Sequence, residues 1–235
     1  MNREIIVTAD GSHSIRLPEL NQSYHSMHGA LQESVHVYME AGLRYAMTAT
    51  GGTGPLYVFE MGFGTGLNAL LTAMEAERQQ RLVHYETIDA FPLDASDSAE
   101  LNFCQQLQRT DLNPLFEYLH YGQWDIESPV TPYFSFQKHR LSLAGWLENK
   151  RLAPGSPGID VVYFDAFAPE VQPELWTAEV FTALYTLMAP GGILVTYCSK
   201  TVVRRAVEAA GFRVYKIPGP RGKREMLRAI KSPAV

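Results

Sequence analysis

Leu56-Tyr57-Val58-Phe59-Glu60-Met61, then Gly62-Phe63-Gly64-Thr65-Gly66, then Leu67-Asn68-Ala69-Leu70-Leu71 is the stretch that decides the fold. An apolar run of strand length ends in glycines, and a helical apolar pattern reaching Arg78 begins directly after them. Working outward, the alternation repeats. Val83 to Ile88 reads as a second strand and Ala95 to Leu107 as a second helix; Phe134 to Leu141 is a third strand, with a short helix around Trp146. Ile159 to Phe164 is a fourth strand, Pro173 to Met188 a helix, Ile193 to Tyr197 a fifth strand and Val202 to Ala210 another helix. Such alternation demands mostly parallel strands with helices on both faces, a doubly wound α/β fold. Phe212 to Ile217 and Glu225 to Ile230, joined by Pro218-Gly219-Pro220-Arg221-Gly222 with no helix between, are expected as an antiparallel pair at one edge. Ahead of the sheet, Ile5 to Leu17 reads as a hairpin turning at Asp10-Gly11, and Gly29 to Met47 as a helix. The expected division is an N-terminal extension, residues 1–50, packing on a main domain, residues 51–235.

The composition supports a buried core: of 235 residues, 46% are hydrophobic and only 19% charged, which excludes chain-wide disorder. The two cysteines, Cys104 and Cys198, lie far apart without metal-like spacing, so neither a disulfide framework nor a zinc site is indicated. No apolar run approaches the roughly 20 residues of a membrane span. A cytoplasmic protein is the expectation. The net charge of −5 conceals a basic end, because ten lysines and arginines from Lys200 to Lys231 are opposed there only by Glu208 and Glu225.

In a doubly wound sheet, ligands bind beyond the C-terminal strand ends where strand order reverses. The glycine loop sits at such an end. Gly62, Gly64 and Gly66 allow close backbone approach, but their spacing departs from the dinucleotide fingerprint G-x-G-x-x-G, since Leu67 stands three beyond Gly64. Glu60, before the loop, disfavours a phosphate and suits a ligand with an ammonium or sulfonium centre. S-adenosylmethionine carries both. Asp89, roughly 20 residues on, closes the second strand where a carboxylate can accept from ribose hydroxyls. The fourth strand ends in Asp165-Ala166-Phe167-Ala168-Pro169 at the same sheet edge. Asp165 can accept a hydrogen bond from an amine nucleophile and act as the catalytic residue, while Phe167 offers a face to a base or to the methyl donor.

Tyr24-His25-Ser26, Gly29 and Glu33, the run from Glu60 to Asn68, Asp89-Ala90-Phe91-Pro92-Leu93, Asp165 to Pro169 with Pro173-Glu174-Leu175-Trp176, and Gly222 to Leu227 occur in an order that resembles one family. It is the methyltransferase half of the bifunctional bacterial enzymes that complete 5-methylaminomethyl-2-thiouridine at the tRNA wobble position. The resemblance, from about Leu20 to Leu227, implies a Rossmann-like class I methyltransferase fold. It further implies methyl transfer from S-adenosylmethionine to the amine of 5-aminomethyl-2-thiouridine in tRNA. The chain departs from those enzymes in ending at Val235 without the flavin oxidase domain, so a stand-alone form is expected, with an oxidase and the aminomethyl-forming enzymes as separate partners. Glu60, Gly62, Gly64, Gly66, Asn68, Asp89, Ser142 and Asp165 are then expected to bind the donor. Ser142 enters because Leu141-Ser142 stands where the family carries Gly-Asp.

For the substrate, the resemblance implies that Tyr24, His25 and Ser26 form a loop over the active site, and Arg221, Lys223 and Arg224 in one turn suit RNA phosphates. His25, His28, His36 and Glu33 lack the helical i, i+4 pairing of a metal site, so no metal is expected. The aromatics of the irregular segment Phe116 to Phe134, interrupted by Pro129 and Pro132, are expected to pack against the domain. Two other readings stay open: an S-adenosylmethionine-dependent enzyme acting on a small amine, and a non-catalytic RNA-binding module.

Overall fold

A computed structural model of the chain describes residues 2–150 and 156–233. Its centre is an eight-stranded sheet of β4 (Leu56–Met61), β5 (Val83–Ile88), β6 (Ser128–Thr131), β7 (Phe134–His139), β8 (Ile159–Phe164), β9 (Met188–Thr196), β10 (Arg213–Pro218) and β11 (Glu225–Ile230), in the order β10-β11-β9-β8-β4-β5-β7-β6. The five inner strands β9, β8, β4, β5 and β7 run parallel. Their side chains alternate between two cores because both faces are covered. On β8, Val161 and Tyr163 enter one core, and Ile159, Val162 and Phe164 the other. On β4, Val58 and Phe59 divide in the same way, and Phe59 stacks on Trp146 with ring centroids 3.9 Å apart.

The helices follow from the loops that start them. α3 (Leu67–Gln79) begins at Gly66, and α9 (Thr201–Ala209) follows β9. α7 (Leu143–Asn149) starts where Ser142 accepts from the Gly145 amide at 3.2 Å. The helix expected over Pro173 to Met188 is shorter: Pro173–Leu175 forms a 3-10 turn, and α8 (Ala178–Leu187) starts at its cap Thr177. The interruption lets buried Trp176 turn inward and donate from its indole to the Phe167 carbonyl at 2.8 Å.

The helix expected over Ala95 to Leu107 is also divided, into α4 (Ala95–Ala99) and α5 (Phe103–Gln106). Between them the Asn102 side chain accepts from the His13 amide at 2.7 Å and donates to the Gly11 carbonyl at 3.0 Å, tying the chain to the N-terminal hairpin. The segment read as irregular contains a further helix, α6 (Asn113–Tyr121), and the strand β6. Pro114 occupies the first turn of α6, where its missing amide costs nothing, and Lys138 donates to the Leu119 carbonyl at its far end at 2.9 Å. β6 tolerates Pro129 because it is an edge strand, paired antiparallel with β7 through an irregular register. The aromatics divide: Phe116 and Phe134 are buried, whereas Tyr118 and Tyr121 are exposed.

The expected N-terminal hairpin is β1 (Glu4–Val7) with β2 (His13–Leu17), extended by β3 (Gln22–Ser23) into a small antiparallel sheet. The next helical stretch comprises α1 (Ala30–Ser34), a π-helix (Val35–Arg44) and α2 (Tyr45–Thr50). It lies against the sheet at Gly42, where a Cβ would meet Val195 at 3.0 Å and Tyr163 at 3.2 Å.

Chain order puts the functional end in place. From β4 the chain steps outward to β5 and β7, then returns to lay β8 on the other side of β4. The loops leaving β4 and β8 therefore diverge at the switch point, and a crevice opens between them.

Candidate functional site

A cavity of about 390 Å³ occupies this crevice. Its floor is the glycine loop. Gly62 has φ +92°, and a Cβ there would come within 3.0 Å of the Asp165 carbonyl. Gly64 has φ +52°, and a Cβ would press on the Tyr24 ring at 3.1 Å. Both positions need the absent side chain as well as the left-handed backbone. Gly66, by contrast, faces away toward Phe63 and His120 and caps α3. His120 also supports the loop, donating from Nε2 to the Thr65 carbonyl at 3.1 Å.

Two carboxyl groups meet behind the loop. Asn68, in the first turn of α3, donates from Nδ2 to Glu60 Oε1 and to Asp165 Oδ2, each at 3.0 Å. Glu60 is 0% exposed and also accepts from the Thr87 hydroxyl at 3.0 Å. Burial first, and then the Asp165 charge, push its pKa up to about 8. Asp165 stands on the cavity wall with its pKa pushed up to about 7, by burial first and also by the Glu33 charge; Tyr38, Asn68 and Lys223 oppose the rise. The remaining polar atom of the bridge, Asn68 Oδ1, is buried without a hydrogen-bond partner. Asp89 accepts from the Gly64 amide at 2.9 Å and the Phe91 amide at 2.8 Å, and burial raises its pKa.

The substrate-side residues of the N-terminal segment also reach the cavity. Tyr24 packs edge-on against Phe167 with centroids 5.3 Å apart. His25 is buried, bonded to the Ser14 hydroxyl at 2.9 Å and near the Thr65 hydroxyl at 3.3 Å; burial lowers its pKa to about 4, keeping the ring neutral. The Ser26 amide donates to Glu33 at 2.8 Å.

Of the residues expected at the site, Gly62, Gly64, Asn68, Asp89, Ser142, Asp165, Tyr24, His25, Ser26, Phe167 and Lys223 line the cavity. Glu60 and Gly66 lie one layer behind it, and Arg221 and Arg224 stand outside on the exposed turn. Ser142 spends its hydroxyl as the cap of α7. The structure adds Glu33, Tyr197, Gln172 and Phe91, the last 75% exposed at the mouth. Glu33 and Phe91 stand in the motifs that carry the family resemblance but were given no role there, whereas nothing in the local sequence marks Gln172 or Tyr197.

The basic end is less open than its composition suggests. Lys216 pairs with Glu225 at 2.7 Å, Arg204 with Glu208 at 2.7 Å, and Arg228 lies 3.5 Å over the Tyr45 ring. Among the described residues no group of three or more His, Cys, Asp or Glu side chains is arranged to hold a metal, and no helix is long and apolar enough to cross a membrane.

These features fit a donor with a charged amino-acid end and a ribose. An orphaned buried acceptor on Asn68, two glycines whose side chains would fill the space, and the Asp89 carboxylate all meet at the cavity.

Comparison with known proteins agrees. Residues 121–232 match the model of a family described as S-adenosyl-L-methionine-dependent methyltransferase. The chain is 33% identical over 224 residues to the tRNA 5-methylaminomethyl-2-thiouridine biosynthesis bifunctional protein of Cupriavidus necator, covering 92% of this chain and 33% of that protein. The protein of the same description from Pseudomonas fluorescens is 34% identical over 217 residues, covering 87% of this chain and 31% of its own length. The chain thus spans about a third of the curated relatives it matches. Among solved structures, MnmC2 from Aquifex aeolicus superposes with a TM-score of 0.78 at 22% identity, covering all of this chain and 73% of that one, which shows a shared fold.

Proposed function

We propose that this chain, whose residues 121–232 match an S-adenosyl-L-methionine-dependent methyltransferase family, methylates the primary amine of 5-aminomethyl-2-thiouridine at the tRNA wobble position, forming 5-methylaminomethyl-2-thiouridine. The observation that carries this reading is Asp165: a carboxyl at the switch point, joined to the glycine loop by Asn68 and flanked by Phe167 in a cavity with aromatic walls. The description of the relatives as proteins of 5-methylaminomethyl-2-thiouridine biosynthesis supplies the substrate.

S-adenosylmethionine, when bound, supplies a methyl group already activated on a sulfonium centre. Gly62 and Gly64 leave room for its amino-acid end, Asn68 offers an acceptor to its ammonium with Glu60 behind, and Asp89 receives the ribose hydroxyls. The chain's own work is then alignment and proton handling. Only an uncharged amine has a lone pair, and the Asp165 carboxylate selects its direction by accepting one of its N–H bonds. As nitrogen gains the methyl it becomes cationic, and Asp165 stabilises that charge and takes the proton. A carboxyl that ionises near pH 7 is suited to both parts of this role.

In this reading residues 1–50 are an extension packed on a catalytic domain of residues 51–235. Arg221 and Arg224 meet RNA phosphates, and Tyr24, His25 and Ser26 enclose the base. The protein works in the cytoplasm alongside the oxidase and the enzymes that form the aminomethyl group. The test is incubation with isotope-labelled methyl donor and tRNA bearing 5-aminomethyl-2-thiouridine, followed by mass analysis of nucleosides. Label should appear in 5-methylaminomethyl-2-thiouridine. Label found only in added small amines would replace this reading with the small-amine enzyme, and absence of donor binding would leave an RNA-binding module.

A further inference from the structure

The cavity wall holds a charged pair that the proposed methyl transfer uses only through the field it exerts on Asp165. Glu33, on α1, is buried with its side chain 8% exposed, and its Oε1 accepts from Lys223 Nζ at 2.6 Å. Lys223 comes from the turn between β10 and β11, and its ammonium lies 3.9 Å over the Tyr197 ring. Both residues line the cavity that holds Asp165.

The pair is not needed to hold the turn. The Arg221 amide donates to Gln32 at 3.2 Å, His36 Nε2 donates to the Pro218 carbonyl at 2.8 Å, and Gly222 is packed directly against the His28 ring. Burying an ion pair costs desolvation that apolar residues of similar volume would avoid. A pair whose Glu33 end is buried while Lys223 stays 32% exposed and opens on the cavity, in a turn already fixed by three other contacts, therefore points to a ligand.

Its chemistry specifies which. Lys223 has three N–H donors and no acceptor, and one donor is directed at Glu33. Glu33 accepts one bond on each oxygen, from Lys223 and from the Ser26 amide, and keeps further lone pairs. The wall thus shows a donor beside an acceptor, among the aromatic rings of Tyr24, Phe167 and Tyr197. Uracil presents the complement on its pairing edge, the O4 acceptor beside the N3–H donor. Cytosine presents the reverse order, and single-stranded bases are read on this edge.

We propose that Lys223 and Glu33 are the specificity-determining pair for the target base, Lys223 donating to O4 and Glu33 accepting from N3–H of an unstacked uridine. The inference rests on the wobble-uridine reading above. With the C5 substituent committed to Asp165, the ring cannot rotate to exchange the two groups. A cytosine would then set its amine against Lys223 and its N3 lone pair against Glu33, two repulsive contacts in place of two attractive ones.

The experiment uses anticodon stem-loops carrying 5-aminomethyl-2-thiouridine or its 3-deaza analogue, in which C–H replaces N3–H and O4 becomes an enol hydroxyl, so that the acceptor–donor edge is altered without added bulk. The wild-type protein should lose about ten- to a hundredfold in kcat/KM on the deaza substrate, the worth of a base-edge contact. The double variant Lys223→Met/Glu33→Met, which leaves no uncompensated charge, should bind S-adenosylmethionine normally and treat both stem-loops alike, at a rate lowered by a similar factor. A variant that keeps the wild-type ratio between the substrates would reduce the pair to a structural clamp. If that variant does not fold, equal wild-type turnover of the two stem-loops would by itself overturn the proposal. Failure of the wild-type protein to methylate either stem-loop defeats instead the reading on which the proposal rests.

Discussion

The two ends of α3 bury carboxylates in opposite ways. At its C-terminal end Glu75, with its side chain 3% exposed, is held by Arg44 at 3.1 Å and by Arg78 at 2.5 Å, and also accepts from Gln79 at 2.9 Å. These donors outweigh the desolvation of the site, and its pKa falls below the usual carboxylate range. At the N-terminal end Glu60 accepts from the neutral donors Asn68 and Thr87, and its pKa rises. A structural carboxylate is buried together with its own cations. The pair Glu60 and Asp165 is buried beside a cavity with no cation among the described residues bonded to it, the arrangement expected where a cationic ligand supplies the missing charge.

The largest expected effect is at Asp165. Asp165→Asn keeps the shape and loses the proton acceptor, so kcat should fall about 10²–10⁴-fold while donor affinity changes far less. In the wild type kcat/KM should also fall as pH drops below about 7, where Asp165 takes up its proton. Steady-state kinetics on a stem-loop substrate across pH 5.5–9 checks both. Unchanged turnover by the variant would make Asp165 as structural as Glu75.

Gly64→Val should come next, with donor binding weakened by about two orders of magnitude. A branched residue at positive φ and the displaced Tyr24 ring cost about 1–3 kcal/mol each. Calorimetric titration with S-adenosylmethionine, with circular dichroism to establish folding, measures it. Normal affinity in the folded variant would remove the glycine loop from the donor site.

The two glutamates themselves provide the direct contrast. Glu75→Gln leaves Arg44 and Arg78 without their carboxylate and should cost about 1–3 kcal/mol, held to that range because both arginines are substantially exposed. Glu60→Gln should act on the pH dependence instead. The folded protein holds a proton on Glu60 that the unfolded chain has lost, so this group removes stability as pH rises from about 4.5 to about 8. The variant should flatten that decline relative to wild type, as read from thermal midpoints across the same range. A decline just as steep in Glu60→Gln would mean that Glu60 is buried as a carboxylate after all.

The smallest effect is expected at the exposed turn. Replacing Arg221 and Arg224 together with Ala should leave donor binding unchanged and reduce the log–log salt slope of tRNA binding by about 0.7–0.9 per lost phosphate contact. An unaltered slope would assign both charges to solvent.

The doubly wound sheet was legible because strand-length apolar runs and helical patterns alternate along the chain, and burial of both sheet faces requires such runs. The glycine loop, Asp89 and Asp165 were legible for a related reason: each closes a strand at the same end of the sheet, so local pattern already places them together. What lay beyond the sequence depended on partners far along the chain. The break after α4 exists because Asn102 bonds to the hairpin turn at Gly11 and His13, and β6 accepts Pro129 because it ends up at an edge. Lys223 was expected to meet RNA phosphates with Arg221 and Arg224, but folding set it against Glu33, 190 residues away, and over Tyr197. Glu75 has one cation within reach of its own helix, Arg78 three residues on, but only the tertiary structure adds Arg44 and leaves Glu60 to neutral donors. Charge state is a property of the space around a side chain, and that space is assembled from segments which no local pattern connects.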